Sequence, residues 1–141
     1  MGFDLFGIEP RNRKGEYFRN NIWWWPRLWD FCCDITPEIS ENDRNSGYYN
    51  SGLVISEKKH RALIENLKKA LNDREKFNEW MSNSEARYAN TGHWLDRIFG
   101  AIKGLDDEAK VRPKEARYHF DWSNVEDFLE FITNNNGFQI C

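Results

Sequence analysis

The chain is poor in the residues that staple, punctuate or anchor a fold. In 141 residues it has 3 Cys, 4 Pro, 3 His and 2 Met. It has no apolar run approaching the ~20 residues needed to cross a bilayer, and no surplus of positive charge. Each shortage excludes something. Cys32 and Cys33 are adjacent and Cys141 lies far from both, which is neither the spaced framework of a stapled secreted domain nor a Cys-x-x-Cys pair. Three free thiols packed in a core are expected, in a reducing compartment. The 20 Lys+Arg against 23 Asp+Glu give a formal charge of −3, which argues against holding duplex DNA through its phosphates. The N-terminus has no basic region followed by an apolar stretch, so a cytoplasmic protein without a membrane anchor is expected. No Gly-x-Ser-x-Gly, phosphate-cradling Gly-rich loop or His-Glu-x-x-His occurs. His60, His93 and His119 have no metal-ligand spacing, so neither a metal nor a cofactor is expected; His60, among Lys58, Lys59 and Arg61, reads as part of a solvated basic face.

What the chain has in abundance is rings: 7 Trp, 5 Tyr and 10 Phe. At this length one domain over residues 1–141 is expected, with a small core built from large side chains. Residues 3–8 alternate as a strand before Pro10. Pro26 suits the first turn of a helix, and Leu28, Trp29, Phe31, Cys32 and Ile35 continue it at helical spacing, predicting a helix from about Pro26 to Asp34. Residues 40–52 have loop composition. Ser56 is placed to cap a long helix over about 56–80, with Leu63, Leu67, Ala70 and Leu71 as its apolar stripe and charges of both signs on its other face. A second amphipathic pattern runs from Trp94 to Ile102, and a short strand is read at Arg117–Phe120. Ser123 and Glu126 have capping-box spacing ahead of a helix from about Asn124; Gly137 can stop it, and residues 138–141 resemble a terminal strand. The expected fold is a single compact α+β domain, about four helices on a small sheet that includes the N- and C-terminal strands.

The segment that stands out chemically is Tyr17 to Phe31, where 7 of 15 residues are aromatic and Arg and Asn are interleaved. Tyr17, Trp23, Trp24, Trp25 and Trp29 offer stacking faces, and Arg19, Asn20, Asn21 and Arg27 offer donors, the combination that recognises nucleotides. The competing reading is that the Trp residues are simply the core. Three consecutive Trp cannot all face one way on a helix or strand, so at least one is expected to point away from it. Tyr48 and Tyr49 sit in a Gly/Ser-rich loop that either edges such a site or packs as an ordinary loop.

Three stretches resemble a family of small bacterial and phage proteins with no established activity. They are Met1–Gly7, the run Gly15-Glu16-Tyr17-Phe18-Arg19-Asn20-Asn21 continuing through Trp23-Trp24-Trp25 and Trp29 to Cys32-Cys33, and Asn124–Glu126 with Phe128, Phe131 and the ending Gly137-Phe138-Gln139-Ile140-Cys141. Members of that family carry two central Cys-x-x-Cys pairs that look like a zinc knuckle. Residues 83–113 here have no cysteine, so zinc is not carried over. The resemblance implies a phage context. With the aromatic segment it leads to an expected accessory protein that binds and sequesters a nucleotide-like small molecule, such as a signalling nucleotide of bacterial immunity, without catalysis. Such a protein acts in the host cytoplasm, and a homo-oligomer is one way to build its pocket. Two alternatives stay open: an inhibitor that docks on a host protein through an exposed aromatic patch, and a small nucleotide-processing enzyme using His119 or Asp30 as acid or base.

Overall fold

The computed structural model describes residues 2–90 and 121–141. Four strands form one antiparallel sheet: β1 (Gly2–Gly7), β2 (Tyr17–Asn21), β3 (Leu53–Ser56) and β4 (Gly137–Ile140), in the order β2-β1-β4-β3. The N- and C-terminal strands are its two central members. Five α-helices among the described residues accompany it: α1 (Trp25–Ile35), α2 (Glu41–Ser46), α3 (Glu57–Leu71), α4 (Arg74–Asn90) and α5 (Trp122–Thr133). The expected α+β architecture is therefore what the chain adopts. No helix among the described residues is long and apolar enough to cross a membrane.

Several local expectations are corrected. The single helix read over 56–80 is two helices, because Asp73 Oδ1 accepts the Lys76 N–H at 3.1 Å and caps a new start. Ser56 occupies the cap position of α3, yet its side chain makes no capping bond. The cap of α5 is Asp121, whose carboxylate accepts from Asn124 N at 3.0 Å, rather than Ser123. The presumed loop over 40–52 contains α2, capped by Ser40 Oγ on Asp43 N at 3.1 Å. The expected Trp94–Ile102 helix and Arg117–Phe120 strand lie outside the described residues, as do His93 and His119.

Strand pairing decides which residues share a side. Cross-strand partners point to the same face and neighbours along a strand to opposite ones. Phe3, Leu5, Phe18, Phe138, Ile140 and Ile55 thereby fall on one face, which α1 and α5 cover. The rings interlock there. Trp25 stacks on Phe3 at 5.9 Å and on Trp29 at 5.6 Å, and Phe128 meets Trp25, Phe18 and Phe138 edge-on at 5.9, 5.3 and 5.6 Å. Cys32 and Cys33 are buried within the same cluster, where burial pushes both thiols up and keeps them unreactive.

A buried amide closes one end of the core. Asn135 Nδ2 donates to the carbonyls of Gly15 and Phe131, at 3.1 and 3.0 Å, and its Oδ1 accepts from Gly137 N at 3.2 Å. His60 joins it: Nε2 lies 2.8 Å from the Ile132 carbonyl and 3.0 Å from Asn135 Oδ1. Both partners are acceptors, so Nε2 carries the proton. His60 is 4% exposed, not on a solvated face as its charged neighbours suggested. Gly137, at φ +150, has the backbone an L side chain rarely adopts, and a Cβ there would stand 2.7 Å from the Ile55 carbonyl.

Candidate functional site

The aromatic segment divides into three environments. At its far end Trp25, Arg27 and Trp29 are fully buried, which corrects the expectation that they present stacking faces or donors to a ligand. Their rings are spent on core packing, and each indole N–H is taken by a loop carbonyl: Trp25 Nε1 donates to Gly47 and Trp29 Nε1 to Arg44, both at 2.8 Å. Gly47 is required there, since a Cβ would lie 2.2 Å from the Trp29 ring. Asn20 is likewise buried, on the covered face beside Phe3.

The middle of the segment is a turn. Asn21 Oδ1 accepts the backbone N–H groups of Trp23 and Trp24, both at 2.9 Å, and so directs the chain from β2 into α1. Trp23 and Trp24 are half-buried while Trp25 is inside, so the three Trp do not share one direction.

Tyr48 is a structural residue. Its hydroxyl donates to Asp30, and Arg44 binds the same cluster: Nη2 to Asp30 at 2.9 Å, Nη1 to Asp34 at 2.8 Å and Nε to the Tyr48 hydroxyl at 3.3 Å. Burial alone would lower the Arg44 guanidinium, and the two carboxylates more than reverse that and raise it. Asp30 is thus committed to an ion-pair network and is not placed as a base beside the open sheet. Tyr49 is exposed nearby on the same loop.

The near end, Tyr17 and Arg19, lies on the face of the sheet that no described helix covers. The register aligns Tyr17 on β2, Phe6 on β1, Gln139 on β4 and Val54 on β3 in one row across all four strands. Phe6 is 48% exposed, and Tyr17 and Val54 are each 45% exposed. The two rings form a tilted pair with centroids 5.4 Å apart. One step along, Arg19 pairs with Asp4, the guanidinium Nε 3.8 Å from Oδ1, and Asp4 also accepts the Tyr17 hydroxyl. That bond raises the Tyr17 phenol above its ordinary value. Gln139 Nε2 donates to the Gly52 carbonyl at 3.2 Å, which orients the amide and leaves Oε1 as an acceptor. Cys141 pairs with Asp4 through its backbone, N to O at 2.8 Å, and is half-exposed on the same side.

The arrangement has two stacking rings, a guanidinium, an oriented amide and a carboxylate on one side of the sheet. It can hold a planar, hydrogen-bonding ligand, and Arg19 and Asp4 offset one another so the face carries little net charge. Among the described residues no three of His, Cys, Asp and Glu gather where a metal ion would sit. Phe6, Gln139 and Val54 were not singled out from the sequence; Phe6 alternates with Leu5, but only the pairing with Tyr17 shows that both rings face outward. No family model, curated protein or solved structure matches this chain.

Proposed function

We propose that the protein binds a nucleotide-like small molecule, without catalysis, on the open face of its sheet. The observation that supports this reading most is the exposed Phe6–Tyr17 ring pair with Arg19 and the Gln139 amide at its flanks. A base stacks on the rings at ~1–3 kcal/mol per base, its exocyclic groups meet Gln139 Oε1, and its phosphate or carbonyl meets Arg19. The neutral balance of the face suits one small ligand better than a polyanion, whose binding requires a run of Lys and Arg. With the phage context implied by the resemblance, the role is that of a sequestering accessory protein in a host cytoplasm, directed at a signalling nucleotide. Thermal melting against cyclic di- and trinucleotides and ADP-ribose derivatives tests it. A ligand at a hundredfold excess over its Kd stabilises by about 2.7 kcal/mol, roughly 10 °C for a chain of this size. No shift across the panel contradicts the reading, and recovery of hydrolysed ligand contradicts its non-catalytic part.

The exposed row also favours a second reading, docking on a host protein, because Tyr and Arg are common interface anchors. Capture of one specific host protein that is lost in Phe6→Ser, with no nucleotide shift, decides for it.

A further inference from the structure

A separate cleft of about 390 Å³ opens among α1, α3 and α4, and no residue lining it belongs to the sheet. Its floor is apolar. Phe31 and Phe77 meet edge-on at 5.3 Å, with Ile35 and Ala70 beside them. Trp80 forms one wall. Its ring stands 4.9 Å from Phe31, and its Nε1–H donates to Asp34 Oδ2 at 2.8 Å, which pins the indole. The Asp34 that pins it is itself held by Arg44, so the wall is preorganised from behind.

Four polar residues line this apolar surface, Asn66, Lys69, Asp73 and Lys76, and two ammonium groups against one carboxylate leave it a single net positive charge. Asn66 Nδ2 donates to the Ile35 carbonyl at 2.8 Å, which leaves the amide oxygen as an acceptor with no partner among the described residues. Lys69 and Lys76 are exposed at the rim. The carboxylate near Lys76 is Asp73, 3.9 Å away at the outer limit of an ion pair, and Lys69 is paired with none among the described residues. Two ammonium groups with weak or no internal partners, above a concave apolar floor, are complementary in charge to an anion and in surface to a hydrocarbon. This is the composition of a small-molecule site: mostly apolar lining with a few polar groups that fix orientation.

We propose that this cleft binds a small organic anion consisting of an apolar body and one carboxylate. The body lies against Ile35, Ala70 and Trp80, above the buried rings of Phe31 and Phe77, and the carboxylate sits between Lys69 and Lys76. This site shares no residue with the open sheet face, so either proposal can fail without the other. The shared chemistry has two sources, an aliphatic or an aromatic acid, and the probes separate them.

The test is a fluorescence titration of the whole chain with anilinonaphthalene sulfonate, an anionic reporter, followed by displacement with decanoate, 2-naphthoate and uncharged decanol. The reporter should brighten and be displaced by at least one of the acids, with decanoate winning for an aliphatic ligand and naphthoate for an aromatic one. Decanol should compete about tenfold less well, the scale of one charge-assisted hydrogen bond. Lys69→Gln with Lys76→Gln, two exposed changes that leave the core intact, should weaken the reporter about tenfold as well, whereas Lys58→Gln, an exposed change on α3 outside both sites, should leave it unchanged. Equal competition by decanol, no effect of the double lysine variant, or an equal loss in Lys58→Gln would each overturn the proposal.

Discussion

The two faces of the one sheet are built from the same kinds of residue and do opposite things. Leu5 and Phe6 are neighbours, as are Tyr17 and Phe18; in each pair one side chain is packed against helices and the other stands in solvent. On the covered face the rings of Phe3, Phe18 and Phe138 meet Trp25, Phe128 and Phe131. On the open face Phe6 and Tyr17 meet each other, and the Tyr17 hydroxyl meets Asp4. The difference teaches that aromatic content does not separate a core from a binding surface here. Strand parity does, because a shift of one residue exchanges the faces.

Substitutions on the two faces should therefore have unequal consequences. The largest effect is expected from Phe128→Ala, which removes a fully buried ring touching both α1 and the sheet and should cost about 3–5 kcal/mol in urea unfolding. Phe6→Ala on the other side loses only a half-exposed cross-strand ring pair and should cost about 1 kcal/mol or less, with ligand binding lost instead. Equal destabilisation by the two would erase the distinction between the faces.

Next in size is Arg44→Met, which removes the Arg44 ion pair from the nearly buried Asp30 carboxylate and should cost roughly 1–3 kcal/mol. Because the loop it holds packs mainly on Trp25 and Trp29 and meets the open face at Gly52, whose carbonyl orients Gln139, ligand affinity measured in folded protein should fall far less than in Phe6→Ala. A loss of affinity as large as that in Phe6→Ala would show that the two regions are coupled.

The pH dependence of the core end comes third. Burial lowers the His60 imidazole below its ordinary 6.5, against the opposing bonds to Asn135 and Ile132. The unfolded chain then takes up a proton that the folded chain refuses. The stability from this residue is complete above pH 6.5 and falls as the pH drops through 6.5 toward the folded value. Urea midpoints between pH 7 and 5 should fall for the native chain. Their slope should flatten in His60→Gln by at most one proton, about 1.4 kcal/mol per pH unit; identical slopes would refute the account of His60. The smallest effect is on the open face: Asp4→Ala removes the acceptor that raises Tyr17, so the phenol should titrate closer to 10.0 in an absorbance titration.

How far the sequence reveals this arrangement depends on the range of the forces involved. α1 and the two terminal strands were readable because Pro26, the period-2 alternation of residues 3–8 and the Gly137 stop are local signals. The break between α3 and α4 was also written locally, in the capping Asp73, but the apolar stripe running past it masked the stop. His60 was misread because Lys58, Lys59 and Arg61 surround it in sequence; its spacing to Leu63 and Leu67 on one helical stripe is the signal that places it inside. Of the residues on the open face, Tyr17 and Arg19 stand out in the sequence as ring and donor, and Phe6 and Gln139 do not. A cross-strand register joins residues more than 100 positions apart, and nothing local encodes it. The same long-range packing drew Trp25 and Trp29 into the core.

The thiols offer the most direct test of the open face. Cys32 and Cys33 are buried, and Cys141 lies beside Asp4 on the side that carries Phe6 and Tyr17. The rate at which an aromatic disulfide reagent modifies Cys141 can be followed with and without the nucleotide that gives the largest thermal shift. The ligand should slow this reaction in the native chain and fail to slow it in Phe6→Ala compared at equal fraction folded. A ligand that stabilises the protein while Cys141 reacts at an unchanged rate, or that protects Cys141 equally in Phe6→Ala, would contradict binding on this face.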